Sequence, residues 1–252
     1  MFIVVCIVAG FFLFLSLRLL RTAFRVDGAE GWLGVAFLCV AISMPLRVFL
    51  AQDFVSASQA PLLLLTSHAL MAAGLCGLTL FVDRIFRADD GWARAITTSL
   101  ILLQIVTLPA LVFFGGHRTE HNFAAISISL IRALPFGWGF YESHRYYRQM
   151  KKRSLLGLSD PVVTNRFALF AIWNGALFAL PVMLFFIRTW AWLGSESGGL
   201  RGDGFTAQVT STLLIASLVL LGGSAVLALS MSFFPPRAWI SSLERRAAAR
   251  AS

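Results

Sequence analysis

Acid is what this sequence has least of. Only 12 aspartates and glutamates stand among 252 residues, against 21 lysines and arginines, and none of the 12 falls in the middle of a long apolar run. Cysteine is nearly absent too. Cys6, Cys39 and Cys76 each lie alone inside an apolar run, with no CxxC spacing, which excludes a disulfide framework or a thiolate metal site and leaves three small hydrophobes. No GxSxG, HExxH or glycine-rich phosphate loop occurs. No basic residue precedes the first apolar run, FIVVCIVAGFFLFLSL, while Arg18, Arg21 and Arg25 follow it. A cleavable signal peptide carries its charges first, so the expectation is a retained first span with a translocated N-terminus.

Apolar residues fill the space. The chain is 58% hydrophobic and 13% charged, with a mean hydropathy of +0.79, more apolar surface than a soluble fold of this size can hide. Seven runs reach the length of a membrane helix: 2–20, 32–51, 61–82, 94–114, 122–141, 167–190 and 208–234. An open sheet cannot span a bilayer and the period-two alternation of a barrel is missing, so all seven are expected to be helices. The predicted fold is an all-α integral membrane protein, a seven-transmembrane helix bundle over residues 1–234 with a basic tail over 235–252. In that tail Pro235 and Pro236 break the last span, and Trp239, Ile240 and Leu243 share one face of a short amphipathic C-terminal helix whose Arg237, Arg245 and Arg246 reach headgroups.

The basic residues set the orientation. Sixteen of the 21 fall after the first, third, fifth and seventh runs or at their ends, and only Arg118 and Arg201 fall after the second, fourth and sixth. The N-terminus is therefore expected outside and the C-terminus in the cytoplasm, with Trp32, Trp92, Tyr146, Tyr147 and Trp239 at the inner interface. A net charge of +9 would suggest nucleic acid in a soluble protein. Here the charges alternate with membrane runs and meet lipid headgroups, so no nucleic-acid partner is expected. The longest cytoplasmic connection is expected over 142–165. It carries RQMKKR, with Arg145, Arg148, Lys151, Lys152 and Arg153, and ends at Asp160-Pro161, a cap signal from which the sixth helix can start early.

Three cations remain, Arg47, Arg132 and Arg188, and these lie inside spans. An isolated arginine at mid-bilayer costs about 2.5 kcal/mol or more, so Arg132, near the middle of NFAAISISLIRALPFGWGFYESHRYY, needs partners. The polar side chains at its depth are His68, Gln104 and Asn174, and Ala125, Ser129, Arg132 and Gly139 form a small, polar stripe at helical spacing. Two readings follow. In one, Arg132 and His68, with Asn174, Gln104, Arg47 and Arg188, line an outward-facing cavity of surplus positive charge that receives a small anionic or lipid-like ligand. In the other, Arg132 is spent on carbonyls freed by Pro135 and on Gln104 or Asn174, while Arg47 and Arg188 snorkel to outer headgroups.

His117 and His121 form an HxxxH pair, but in a loop where no helix aims both rings at one metal. Intramembrane zinc hydrolases of the ceramidase and adiponectin-receptor type carry several histidines within their spans; only His68 lies in one here. No enzyme activity, catalytic residue, metal or cofactor is expected.

Asp83-Arg84-Ile85 at the inner end of the third run is similar to the D-R-Y signature of serpentine receptors, and Trp173 and Pro181 resemble the Trp and Pro of opsin helix 6 at a different spacing. Together with the topology, the long basic third inner loop and the tail helix, the plan resembles serpentine receptors and microbial opsins across the whole chain. The resemblance implies an activation lock at Asp83 and Arg84. It does not extend to a retinal site, because the seventh run, QVTSTLLIASLVLLGGSAVLALSMSFF, has no lysine, nor does it contain N-P-x-x-Y. Richness in Ala, Leu and Arg with little Lys points to a bacterial inner membrane. The expected function is a sensor or receptor-like protein signalling through the 142–165 connection to a cytoplasmic protein partner, with a small transporter or channel for an organic anion or lipid as the alternative.

Overall fold

The computed structural model describes residues 2–26, 28–51, 59–113, 123–156, 158, 160–196 and 218–251. Among them there is helix and no strand. The helices are α1 (Phe2–Val26), α2 (Glu30–Ala51), α3 (Ala60–Phe86), α4 (Gly91–Phe113), α5 (Phe123–Leu155) and α6 (Pro161–Glu196). A π-helical turn, Leu218–Gly222, leads into α7 (Gly223–Phe233), and α8 (Arg237–Ala251) follows. Among the described residues five helices are long and apolar enough to cross a membrane: α1 over Val5–Phe24, α2 over Glu30–Arg47, α3 over Ala60–Phe86, α4 over Gly91–Phe113 and α6 over Pro161–Ile187. A shorter apolar helix covers Leu220–Phe233. The chain is thus a helical, membrane-embedded protein. Residues 208–217 of the expected seventh span, and the loop with His117 and His121, lie outside the described residues.

The chain divides into two units, Met1–Pro135 and Phe136–Ser252. In the first, α1 packs on α2, α2 on α3 and α3 on α4. Glycine sets the closeness of the α2–α3 seam: a Cβ at Gly77 would stand 2.9 Å from the Trp32 carbonyl oxygen, and one at Gly74 3.1 Å from that of Ala36. Lipid offers no hydrophobic drive to bring helices together, so contact at backbone range supplies the packing energy instead. At the far end of the same hairpin, Thr97 Oγ1 donates to Asp83 Oδ1 at 3.2 Å, tying α4 to α3. Arg84 is exposed.

In the second unit, α6 packs on the π turn, α7 and α8. Against the end of α5 it forms an aromatic seam, with Phe136 edge-on to Trp173 at 6.2 Å and Tyr146 against Phe167 at 4.6 Å. Asp160 caps α6, accepting from Val162 N–H at 2.7 Å with Pro161 in the first turn, the early start expected from that pair. After the break at Pro235 and Pro236 the tail forms α8, which rests on α6.

One expectation is corrected. Residues 142–155 are not a loop but the continuation of α5, and the connection to α6 is short. Hydropathy marks where a chain leaves the bilayer, which is not where a helix ends. ESHRYYRQMKKRSL contains no glycine or proline, and its Arg, Gln, Met and Lys are good helix formers. The helix closes only where Leu158 N–H reaches back to the Arg153 carbonyl at 2.9 Å, a six-to-one bond of the Schellman type.

Candidate functional site

Proline decides who is free to form the site. Pro135 has no N–H, so the carbonyl four residues earlier, that of Ile131, loses its helical donor. That carbonyl is not taken by Arg132. Gln104 on α4, fully buried, donates its side-chain amide to Ile131 O at 3.0 Å, and Thr107 Oγ1 donates to the Gln104 carbonyl at 2.6 Å. Gln104 therefore serves the carbonyl that Pro135 frees, and the guanidinium of Arg132 is left for other partners. A thermodynamic cycle checks this assignment. Gln104→Leu is expected to destabilise by about 1–3 kcal/mol, the cost of an orphaned buried carbonyl. Pro135→Ala in the same chain restores the missing N–H and should recover most of the loss, as read by thermal unfolding in detergent.

The partner of Arg132 is His68. Arg132 Nη2 lies 2.8 Å from His68 Nδ1. Arg47 converges on the same atom, its Nη2 3.3 Å from Nδ1, while its Nε donates to Ser67 Oγ at 3.0 Å. Ser67 in turn donates to the Ser43 carbonyl at 3.3 Å. A guanidinium has only donors, so Nδ1 must accept from both, which makes the ring neutral with its proton on Nε2.

The local structure explains the convergence. Side chains on an α-helix tilt toward its N-terminus. Arg47 sits near the C-terminal end of α2, so it leans back along the helix, whereas His68 and Arg132 lie in the N-terminal parts of α3 and α5 and lean toward their helix starts. The three meet at one level. Arg47 thus reaches inward along the hairpin rather than outward to headgroups.

Neither Arg47 nor Arg132 meets a carboxylate among the described residues. Two unit charges 4 Å apart repel by about 4 kcal/mol at the effective dielectric of a protein surface, and here the moderator is a neutral ring. One further donor, the buried Arg132 Nε–H, has no hydrogen-bond acceptor among the described residues.

The other expected site residues go elsewhere. Asn174 belongs to the second unit, fully buried, where its Nδ2 donates within its own helix to Phe170 O at 2.9 Å. The side chain of Arg188 lies outside those described. Arg145, Arg148, Lys151, Lys152 and Arg153 all stand exposed on the extension of α5, whereas Glu142, expected in the cytoplasm, is buried on the α5 face that carries Gly139 and Ser143. Sequence reading passed over Ser67 and Ser43, although Ser43 lies one helical turn before Arg47 and Ser67 beside His68. A hydroxyl inside a span is too common to single out.

Comparison with known proteins gives no match, neither to a family model nor to a curated protein nor to a solved structure. The functional reading rests on the geometry.

Proposed function

We propose that this chain is a seven-span sensor of a bacterial inner membrane, its N-terminus outside, which binds a small anion at Arg132, Arg47 and His68. One observation carries the reading: two guanidinium groups share a single neutral imidazole nitrogen and neither meets a carboxylate among the described residues. A membrane protein that holds two uncompensated cations at one point is set up to receive negative charge. Structural arginines in lipid are ordinarily paired with an acid or snorkelling, and among the described residues these two meet only Ser67 and His68.

The output side lies on the same helix. α5 carries Arg132 before its proline and the exposed basic residues 145–153 after it. Arg132 lies within one helical turn of Pro135, and the basic extension offers a cytoplasmic protein partner a charged helix where a loop was expected. Membrane lipids remain partners for the tail helix α8.

The test is to reconstitute the purified protein, extract what copurifies, and compare it by mass spectrometry with the Arg132→Gln variant. An acidic small molecule present with the wild type and lost in the variant is the expected result, together with no flux of that molecule into sealed liposomes. Flux without a partner would replace the sensor by a transporter or channel for organic anions. Identical extracts would make the cluster a structural one.

A further inference from the structure

The donor pattern of the cluster narrows the anion, on the reading just given. Arg47 spends its side-on edge, the Nε and Nη2 pair, on Ser67 and His68. Arg132 does not: its Nη2 holds His68, but its Nε–H is buried with no acceptor among the described residues. Nη2 bears two N–H bonds, so it can keep one on the imidazole and present the other parallel to Nε–H. That edge is a two-pronged fork whose spacing matches the two oxygens of a carboxylate, and planar bidentate pairing is the strongest contact a guanidinium makes.

Neutral donors beside the fork are few. His68 gives Nδ1 to the arginines and keeps a single N–H, on Nε2. Ser67 has its hydroxyl on the Ser43 carbonyl, and Gln104 spends one of its two amide N–H bonds on the Ile131 carbonyl, which leaves the anion few neutral donors with which to complete a tetrahedral or spherical shell. A polyoxyanion needs donors converging from several directions, and a halide needs no particular edge. We infer that the ligand is a carboxylate, seated side-on against Nε and Nη2 of Arg132 with Arg47 as the second, unforked cation.

A carboxylate has two sources here, a short water-borne acid or the head of a fatty acid from the bilayer, and the experiment separates them. Binding to the full chain in nanodiscs is measured by calorimetry for butanoate, decanoate, chloride and inorganic phosphate. The wild type is expected to bind one of the two carboxylates at least about tenfold more tightly than chloride or phosphate, because chloride cannot use both prongs and phosphate, which can, leaves its remaining oxygens without donors. Preference for butanoate marks an aqueous ligand and preference for decanoate a lipid-derived one. Arg132→Lys keeps the charge and loses the fork, so it should erase the preference while keeping chloride affinity within about twofold.

An infrared difference spectrum with ¹³C-carboxylate ligand on the wild type needs no variant. It is expected to show a bidentate carboxylate through a narrowed splitting of its two stretching bands. Phosphate or chloride bound best, a preference surviving in Arg132→Lys, or a carboxylate band unchanged from solution would overturn the carboxylate assignment and leave the anion site standing. Failure of all four probes to bind the wild type would overturn both.

Discussion

Arg132→Gln is expected to make the ligand-free protein more stable and, at the same time, indifferent to anions. The two effects have one origin. In the wild type Arg132 stands beside a second cation with no carboxylate partner among the described residues, and an unpaired arginine at mid-bilayer, where the proposed function places it, costs about 2.5 kcal/mol or more. Glutamine removes the charge and can still donate to His68 Nδ1. Thermal unfolding in nanodiscs should therefore show a higher midpoint for the variant, by about 2–4 °C for each kcal/mol recovered.

Adding a bound anion reverses the order. Ligand at a hundred times its dissociation constant stabilises by about 2.7 kcal/mol, a gain open only to the wild type, since truncating one partner of a buried charged pair costs about 2–5 kcal/mol of binding. Crossed melting curves, the variant higher without anion and the wild type higher with it, are the expected result. A variant less stable under both conditions would show that Arg132 is held for structure.

The second large effect is expected in the other unit. A Cβ on Gly139 would lie 2.5 Å from Asn174 Oδ1 and 3.0 Å from its Cγ, and Asn174 is fully buried with its Nδ2 fixed on Phe170 O. The amide cannot swing away without breaking that bond. Gly139→Ala should destabilise by about 1–3 kcal/mol, the range for an overpacked interior. Asn174→Ala in the same chain empties the contested volume and leaves no polar group to satisfy, and Asn174 Oδ1 has no hydrogen-bond acceptor role to lose among the described residues. The double variant is therefore expected to unfold at a higher temperature than Gly139→Ala alone, a coupling that identifies the contact. Equal destabilisation by the single and double variants would mean that the glycine is needed for something other than room for Asn174.

What the sequence made legible was cost. Arg132 and His68 stand out because a charge or an imidazole in lipid needs a reason, and Arg47 for the same cause. How those residues are shared was not legible, because it depends on which way each helix runs. Arg47 near a C-terminal end leans inward, while the same residue near an N-terminal end would have leaned out. Gln104 illustrates the other limit. It was visible as a polar side chain at the right depth, but its partner is the carbonyl that Pro135 orphans, a main-chain consequence that side-chain inventories omit. Helix extent failed at 142–155 because hydropathy is a property of the solvent a segment meets, and helix formation is a property of the backbone. The caps succeeded where the chemistry was local: Asp160 before Pro161, and the double proline before the tail.

The imidazole at the centre of the cluster has one lone pair on Nδ1 and two claimants, at 2.8 Å from Arg132 and 3.3 Å from Arg47. A single lone pair cannot serve two donors at full strength, so whatever shortens one bond lengthens the other. α2 and α5 are thereby wired in opposition through an atom of α3. A pull on either arginine is felt by the other as slack, and the triad acts as a balance beam whose fulcrum is a nitrogen.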